Sequence, residues 1–103
     1  MAKKVPEHIA RDRYWKPVLH LFQNNAKLRT LFTTKYFNLE NGLIKVDALK
    51  RSTSKWSLTE KFMVNVAIHL YTNNGRLDLS NMDHLDDFNR KLVLEAITLR
   101  FFR

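Results

Sequence analysis

Only two glycines, Gly42 and Gly75, and two prolines, Pro6 and Pro17, occur in the 103 residues of this chain. A sequence so short of turn-forming residues reads as helices with short joints. The expected fold class is therefore mainly α: a compact, single-domain helical bundle over 1–103, with room for one small β-hairpin near residues 36–46. No linker, internal repeat or low-complexity tract divides the chain. Apolar residues make up 45% and aromatics 12%, enough at this length for one core without metal or disulfide staples. Cysteine is absent, so disulfides, thiolate catalysis and Cys-type zinc sites are excluded.

The C-terminal half carries the clearest local signals. In KWSLTEKFM, Ser57 and Glu60 stand three apart as an S-x-x-E capping box. Phe62, Met63, Val66, Ala67, Leu70 and Tyr71 then follow the helical period, with Lys61, Asn65, His69 and Thr72 opposite. TNNG should stop this helix, with Gly75 taking the left-handed position. Trp56 should fold back on the first turn, against the aliphatic stem of Lys61. A second helix is expected from Asp86 or Asp87. Its Phe88, Leu92, Ala96 and Leu99 form a stripe that Val93, Ile97, Leu94 and Phe101 widen, which predicts a place in the middle of the core. Glu60 and Arg100 both fall on apolar sides of their helices. Glu60 is thus read as a reciprocal cap or, if the helices run antiparallel, as the partner of Arg100, because an unpaired buried ion is costly.

The N-terminal half is read more coarsely. Pro6 suits the first turn of a helix over roughly 6–15, which Pro17 should end or kink near Trp15 and Lys16. VLHLFQNN continues as a helical piece stopped by Asn24-Asn25, and AKLRTLFTTKYF resumes with Leu28, Leu31 and Phe32. Asn41-Gly42 signals a two-residue hairpin, and VDALKR beyond it reads as a short helical turn.

Chemistry is sparse. His8, His20, His69 and His84 lack metal-ligand spacing, the serines have no nucleophile elbow, and two isolated glycines cannot form a phosphate loop. Asp83, Asp86 and Asp87 are explained by helix-start chemistry. The reading is a non-enzymatic protein with no metal and no cofactor.

Charge is more informative. Residues 1–56 hold 12 Lys and Arg against 4 Asp and Glu, whereas residues 57–103 hold 6 of each, so the net +8 lies wholly in the first half. Such asymmetry favours a polyanionic partner. The segment LKRSTSKWS places Lys50, Arg51, Ser52 and Lys55 just before a helix N-terminus, where amides and dipole attract phosphate; a solvated polar loop is the alternative. Arg11, Arg13 and Lys16, with Lys3 and Lys4, extend the basic set. Arg13-Tyr14-Trp15-Lys16 and Lys35-Tyr36-Phe37 interleave cations and rings as single-strand binders do, although large rings at these positions also suit a core. No secretory signal follows Lys3-Lys4, and VNVAIHLY is too short to span a membrane. A cytoplasmic protein is expected.

Across SKWSLTEKFMVNVAIHLYTNNG and NMDHLDDFNRKLVLEAITLRFF the chain resembles small proteins of phages and mobile elements of Gram-positive bacteria. Trp56, Ser57, Glu60, Lys61, Leu85, Asp86, Asn89, Glu95, Ala96, Ile97, Arg100 and Phe101 carry the likeness, which spans the C-terminal half. It implies a mobile-element setting and no particular chemistry. Two functions follow: binding of nucleic acid or a nucleoprotein through the basic half, or binding of an acidic bacterial host protein so as to inhibit or redirect it, with Trp15 or Tyr36 as anchors. The apolar C-terminal helix also leaves surface for a homodimer.

Overall fold

The computed structural model describes residues 5–102; Lys3 and Lys4 lie outside them. The chain forms one mainly α domain with a small two-stranded antiparallel sheet. In order it builds α1 (Glu7–Ala10), α2 (Trp15–Asn24), α3 (Ala26–Arg29), β1 (Phe37–Asn38), β2 (Leu43–Ile44), α4 (Val46–Ser52), α5 (Leu58–Thr72), a 3-10 segment (Leu79–His84) and α6 (Asp87–Phe101).

Three helices make the frame, and side-chain contacts fix their directions. Trp15 at the start of α2 meets Tyr71 near the end of α5, with ring centroids 5.3 Å apart. Along α6, Asn89 accepts a hydrogen bond from Asn25 at 2.9 Å, Glu95 meets His20 at 2.8 Å, and the Arg100 guanidinium lies 4.0 Å from the Tyr14 ring centroid. Thus α2 runs antiparallel to both α5 and α6, and these two run parallel. The 73–86 connection, with its 3-10 segment, returns the chain to the start of α5. Leu21 of α2, Val66 of α5 and Val93 and Ala96 of α6 are fully buried; each larger apolar side chain so enclosed contributes about 1.5–3 kcal/mol.

The middle of the core belongs to α5, not to α6. Val64 and Ile68 are buried along with Phe62, Met63, Val66, Ala67 and Leu70, so α5 is enclosed on all but the side of Asn65 and Thr72. On α6 only Leu92, Val93, Ala96 and Arg100 are buried, while Phe88, Leu94 and Phe101 are each more than half exposed. An all-round apolar sequence does not say which side faces a partner, and α6 has α2 and α5 on one side only.

The predicted starts of α5 and α6 are capped, and α3 carries a further cap. Ser57 Oγ accepts from the Glu60 N–H at 3.2 Å and Glu60 Oε1 accepts from the Ser57 N–H at 3.1 Å. Asp86 caps α6 through the Asn89 N–H at 2.8 Å, and Asn25 caps α3 through the Leu28 N–H at 3.0 Å. Gly75 is left-handed as expected (φ 82°), but the residue that ends α5 is Asn73, itself left-handed (φ 59°); Asn is the side chain that takes this place when Gly does not.

The N-terminal reading needs more correction. The first helix covers one turn, Glu7–Ala10, and Pro17 lies inside α2 rather than ending its predecessor. Asp12 starts α2 instead: its Oδ1 accepts from the N–H groups of Tyr14 (2.8 Å) and Trp15 (3.2 Å). Pro17 then falls in the first turn, where a missing N–H does no harm. The helix of AKLR is also only one turn long. Phe37 pairs with Ile44 and Asn38 with Leu43, so the hairpin loop is the four residues 39–42, not the two of Asn41-Gly42. Gly42 still matters. It takes φ +66°, it lies against Ile9 and Trp15, and its carbonyl accepts from the Tyr71 hydroxyl at 2.9 Å. Behind the hairpin, Phe37 stands edge-on to Phe22 and Phe32, each at 5.1 Å between ring centroids.

Candidate nucleic-acid interface

In LKRSTSKWS the end of α4 is followed by a turn that leaves Ser54 and Lys55 exposed. Lys50, Arg51 and Ser52 form the last turn of α4, where cations complement the negative helix end. Thr53 is buried, its hydroxyl donating to the Leu49 carbonyl at 3.0 Å. The side chains of Lys50, Arg51 and Lys55 are exposed. The start of α5 already holds an anion of its own, since the Glu60 carboxylate sits on the Ser57 N–H. That hydrogen bond, with the Ser57 hydroxyl and Lys27 ammonium adding to it, holds the Glu60 carboxyl below its ordinary range. Lys27 Nζ lies 3.6 Å from Glu60 Oε2 and 4.9 Å from the centroid of the Trp56 ring. Lys27 therefore lies over the Trp56 ring.

Tyr36 gathers further cations beside this turn. Its hydroxyl bonds to Ser52 Oγ, its carbonyl accepts from the Lys45 N–H at 2.8 Å, and Lys35 Nζ lies 5.5 Å from its ring centroid. The Ser52 hydroxyl, helped by the Lys35 ammonium, holds the Tyr36 phenol below its ordinary range. Lys35 and Ser52 thus meet the buried Tyr36 side chain, while Lys45 meets its carbonyl through the backbone N–H alone. Between residues 35 and 55 stand five cations and two carboxylates, Glu40 and Asp47. Among the described residues, none of those five cations is in an ion pair. Beside them a cleft of about 440 Å³ opens between Pro6, Thr34, Asn38, Leu39, Glu40 and Lys45. Lys35 enters the sequence reading only beside Tyr36 and Phe37, and Lys45 not at all; the hairpin that joins them was the available signal.

The second basic group lies elsewhere. Arg13 and Lys16 flank Tyr14 and Trp15, which touch Arg100 and Tyr71 at the far end of α5. Fifteen helical residues separate the two ends by about 22 Å. Arg11, Arg13 and Lys16 therefore do not join Lys50, Arg51 and Lys55 in one site. Arg11 is paired with Glu7 at 3.3 Å, and the Arg13 guanidinium sits over Tyr14.

Glu60 and Arg100 are likewise at opposite ends of parallel helices, so they do not pair. Arg100 is 4% exposed. Its Nε donates to the Leu70 carbonyl and its Nη2 to Asn73 Oδ1, each at 3.1 Å. A guanidinium from α6 thereby satisfies the last turn of α5, the negative end of that helix. Trp15 and Tyr36 are 3% and 6% exposed, so neither can anchor a partner protein.

Among the described residues no group of three His, Asp or Glu side chains assembles as a metal set, and no helix is long and apolar enough to cross a membrane. The chain matches no family model, no curated protein and no solved structure.

Proposed function

We propose that this is a small, non-enzymatic protein of phage or mobile-element type that binds nucleic acid, alone or in a nucleoprotein, by its phosphate backbone. The observation that supports the reading is the set of exposed Lys35, Lys45, Lys50, Arg51 and Lys55 on the flanks of the hairpin, the last turn of α4 and the turn after it, free of ion pairs among the described residues. Side chains held on a helix end and a hairpin present fixed charges to a backbone without reading bases. The buried rings of Trp15, Tyr36 and Phe37 offer no stacking platform, so electrostatics carries the binding.

Five phosphate contacts imply a slope of about −4.5 in log affinity against log salt, and about 500-fold weaker binding at 200 than at 50 mM. The test is fluorescence anisotropy with labelled single- and double-stranded DNA and RNA over that range. Replacing Lys50, Arg51 and Lys55 together by Ser should reduce affinity at least tenfold and flatten the slope by about 2.7, with the helical spectrum unchanged. Equal binding by the variant, or none by the wild type to any of the four probes, would reject the proposal. A pull-down with and without nuclease separates it from the alternative, an inhibitor or redirector of an acidic host protein: a protein captured after nuclease treatment and lost in the same variant would favour that reading.

A further inference from the structure

The cleft of about 440 Å³ beside the hairpin is lined by two kinds of group. Pro6, Phe37 and Leu39 give it an apolar floor, of which Phe37 and Leu39 are buried. Thr34, Asn38, Glu40 and Lys45 stand exposed around it. An apolar floor with a few convergent polar groups, in a volume between about 300 and 1,000 Å³, is the make-up of a small-molecule site. The cleft is also continuous with the basic surface, because Lys45 belongs to both and Lys35 follows Thr34 in the chain. Glu40 is the group that phosphate binding leaves unexplained. A carboxylate among phosphate-binding cations repels a polyanion, and among the described residues Glu40 makes no ion pair that would cancel its charge.

We propose that this cleft receives one unstacked guanine of a bound single strand, with the Glu40 carboxylate accepting from its N–H groups, an inference that rests on the nucleic-acid reading above. Guanine alone among the bases sets two neighbouring donors, N1–H and the 2-amino group, on its Watson–Crick edge, and a carboxylate can accept both in parallel. Adenine and cytosine place a ring acceptor beside their amino group, and uracil and thymine flank their one N–H with carbonyls. Each of those edges would turn a lone pair toward the carboxylate. Asn38 suits the rest of the guanine edge. Its Oδ1 accepts from the Asn41 N–H at 3.1 Å, which leaves Nδ2 to donate, as guanine O6 requires. Because pairing in a duplex occupies the same edge, the base must be unpaired. The cations hold phosphate whatever the sequence, and the carboxylate supplies the base contact.

Fluorescence anisotropy with the full chain tests this, using a labelled oligouridine, and its oligothymidine counterpart, in which one central position is guanine, inosine, adenine or cytosine. Guanine should bind at least about fivefold tighter than any other base at that position, and inosine, which lacks the 2-amino group, should fall between. Glu40→Gln should remove the guanine preference and leave affinity for the plain strand equal or higher, since one repelling charge is gone. Lys50→Ser should weaken every probe together and keep their order. Both positions are exposed, and circular dichroism checks the fold. Equal binding of all the probes, or a guanine preference that survives Glu40→Gln, would overturn the proposal with nucleic-acid binding intact. Failure of every probe to bind would remove the nucleic-acid reading and this proposal together.

Discussion

Arg100 is the residue whose replacement tests the packing scheme most directly. A guanidinium enclosed between α2, α5 and α6 has no carboxylate partner among the described residues. Its two hydrogen bonds to the end of α5 are charge-assisted and contribute about 1.5–3 kcal/mol each. The helix dipole and the Tyr14 ring add to this, while desolvation opposes it by several kcal/mol. Arg100→Met removes the desolvation and keeps the stem, but strands the Leu70 carbonyl, so a loss of about 1–2 kcal/mol is expected. Arg100→Ala also leaves a void and should lose about 3–4 kcal/mol. For a domain of this size the Ala variant would melt about 12–25 °C lower. Urea unfolding followed by circular dichroism measures the loss, and a double-mutant cycle with Asn73→Ala should show coupling of about 0.5–3 kcal/mol. An Arg100→Met protein within about 0.5 kcal/mol of wild type would refute the view that this side chain secures the end of α5.

Loss of the α5 cap in Ser57→Ala should destabilise by about 1 kcal/mol. Because the folded-state pKa of Glu60 lies below its ordinary 4.5, its contribution is present at neutral pH and fades as pH falls through that range. Glu60→Gln should flatten the acid limb of the stability profile; parallel profiles would contradict the box. Burial raises the Tyr71 phenol above its ordinary 10.0. The unfolded chain therefore ionises first, stability falls as pH rises beyond about 10, and Tyr71→Phe should blunt that fall when unfolding is followed in alkaline urea. Gly42→Ala forces a methyl into φ +66° and to 3.4 Å from Ile9 Cδ1, which should lower stability by about 1 kcal/mol in thermal melts.

Legibility followed the range of the interactions. Ser57 with Glu60, and Asp86 with the amide of Asn89, act within one turn, so the starts of α5 and α6 could be read without a structure. The helical class and the presence of a hairpin, though not its four-residue loop, rest on equally local chemistry. Pro17 misled because the capping group for α2, Asp12, stands before two residues that carry no start signal, and a proline in a first turn looks the same as one that ends a helix. The basic set divides for a different reason. Arg13 and Lys50 are alike as charges, yet antiparallel packing of α2 on α5 sends them to opposite ends, while the hairpin returns the backbone of Lys45 to Tyr36.

What the amino-acid order alone determined was the helical class, the caps and the imbalance of charge, since each depends on neighbours a few residues away or on composition. Only tertiary structure decided that α5 is central, that α6 turns an apolar edge outward, and that Arg100 serves α5 rather than Glu60. Those outcomes depend on helix direction. Direction is set by which long-range packing buries the most surface, and no periodicity within a single helix encodes it.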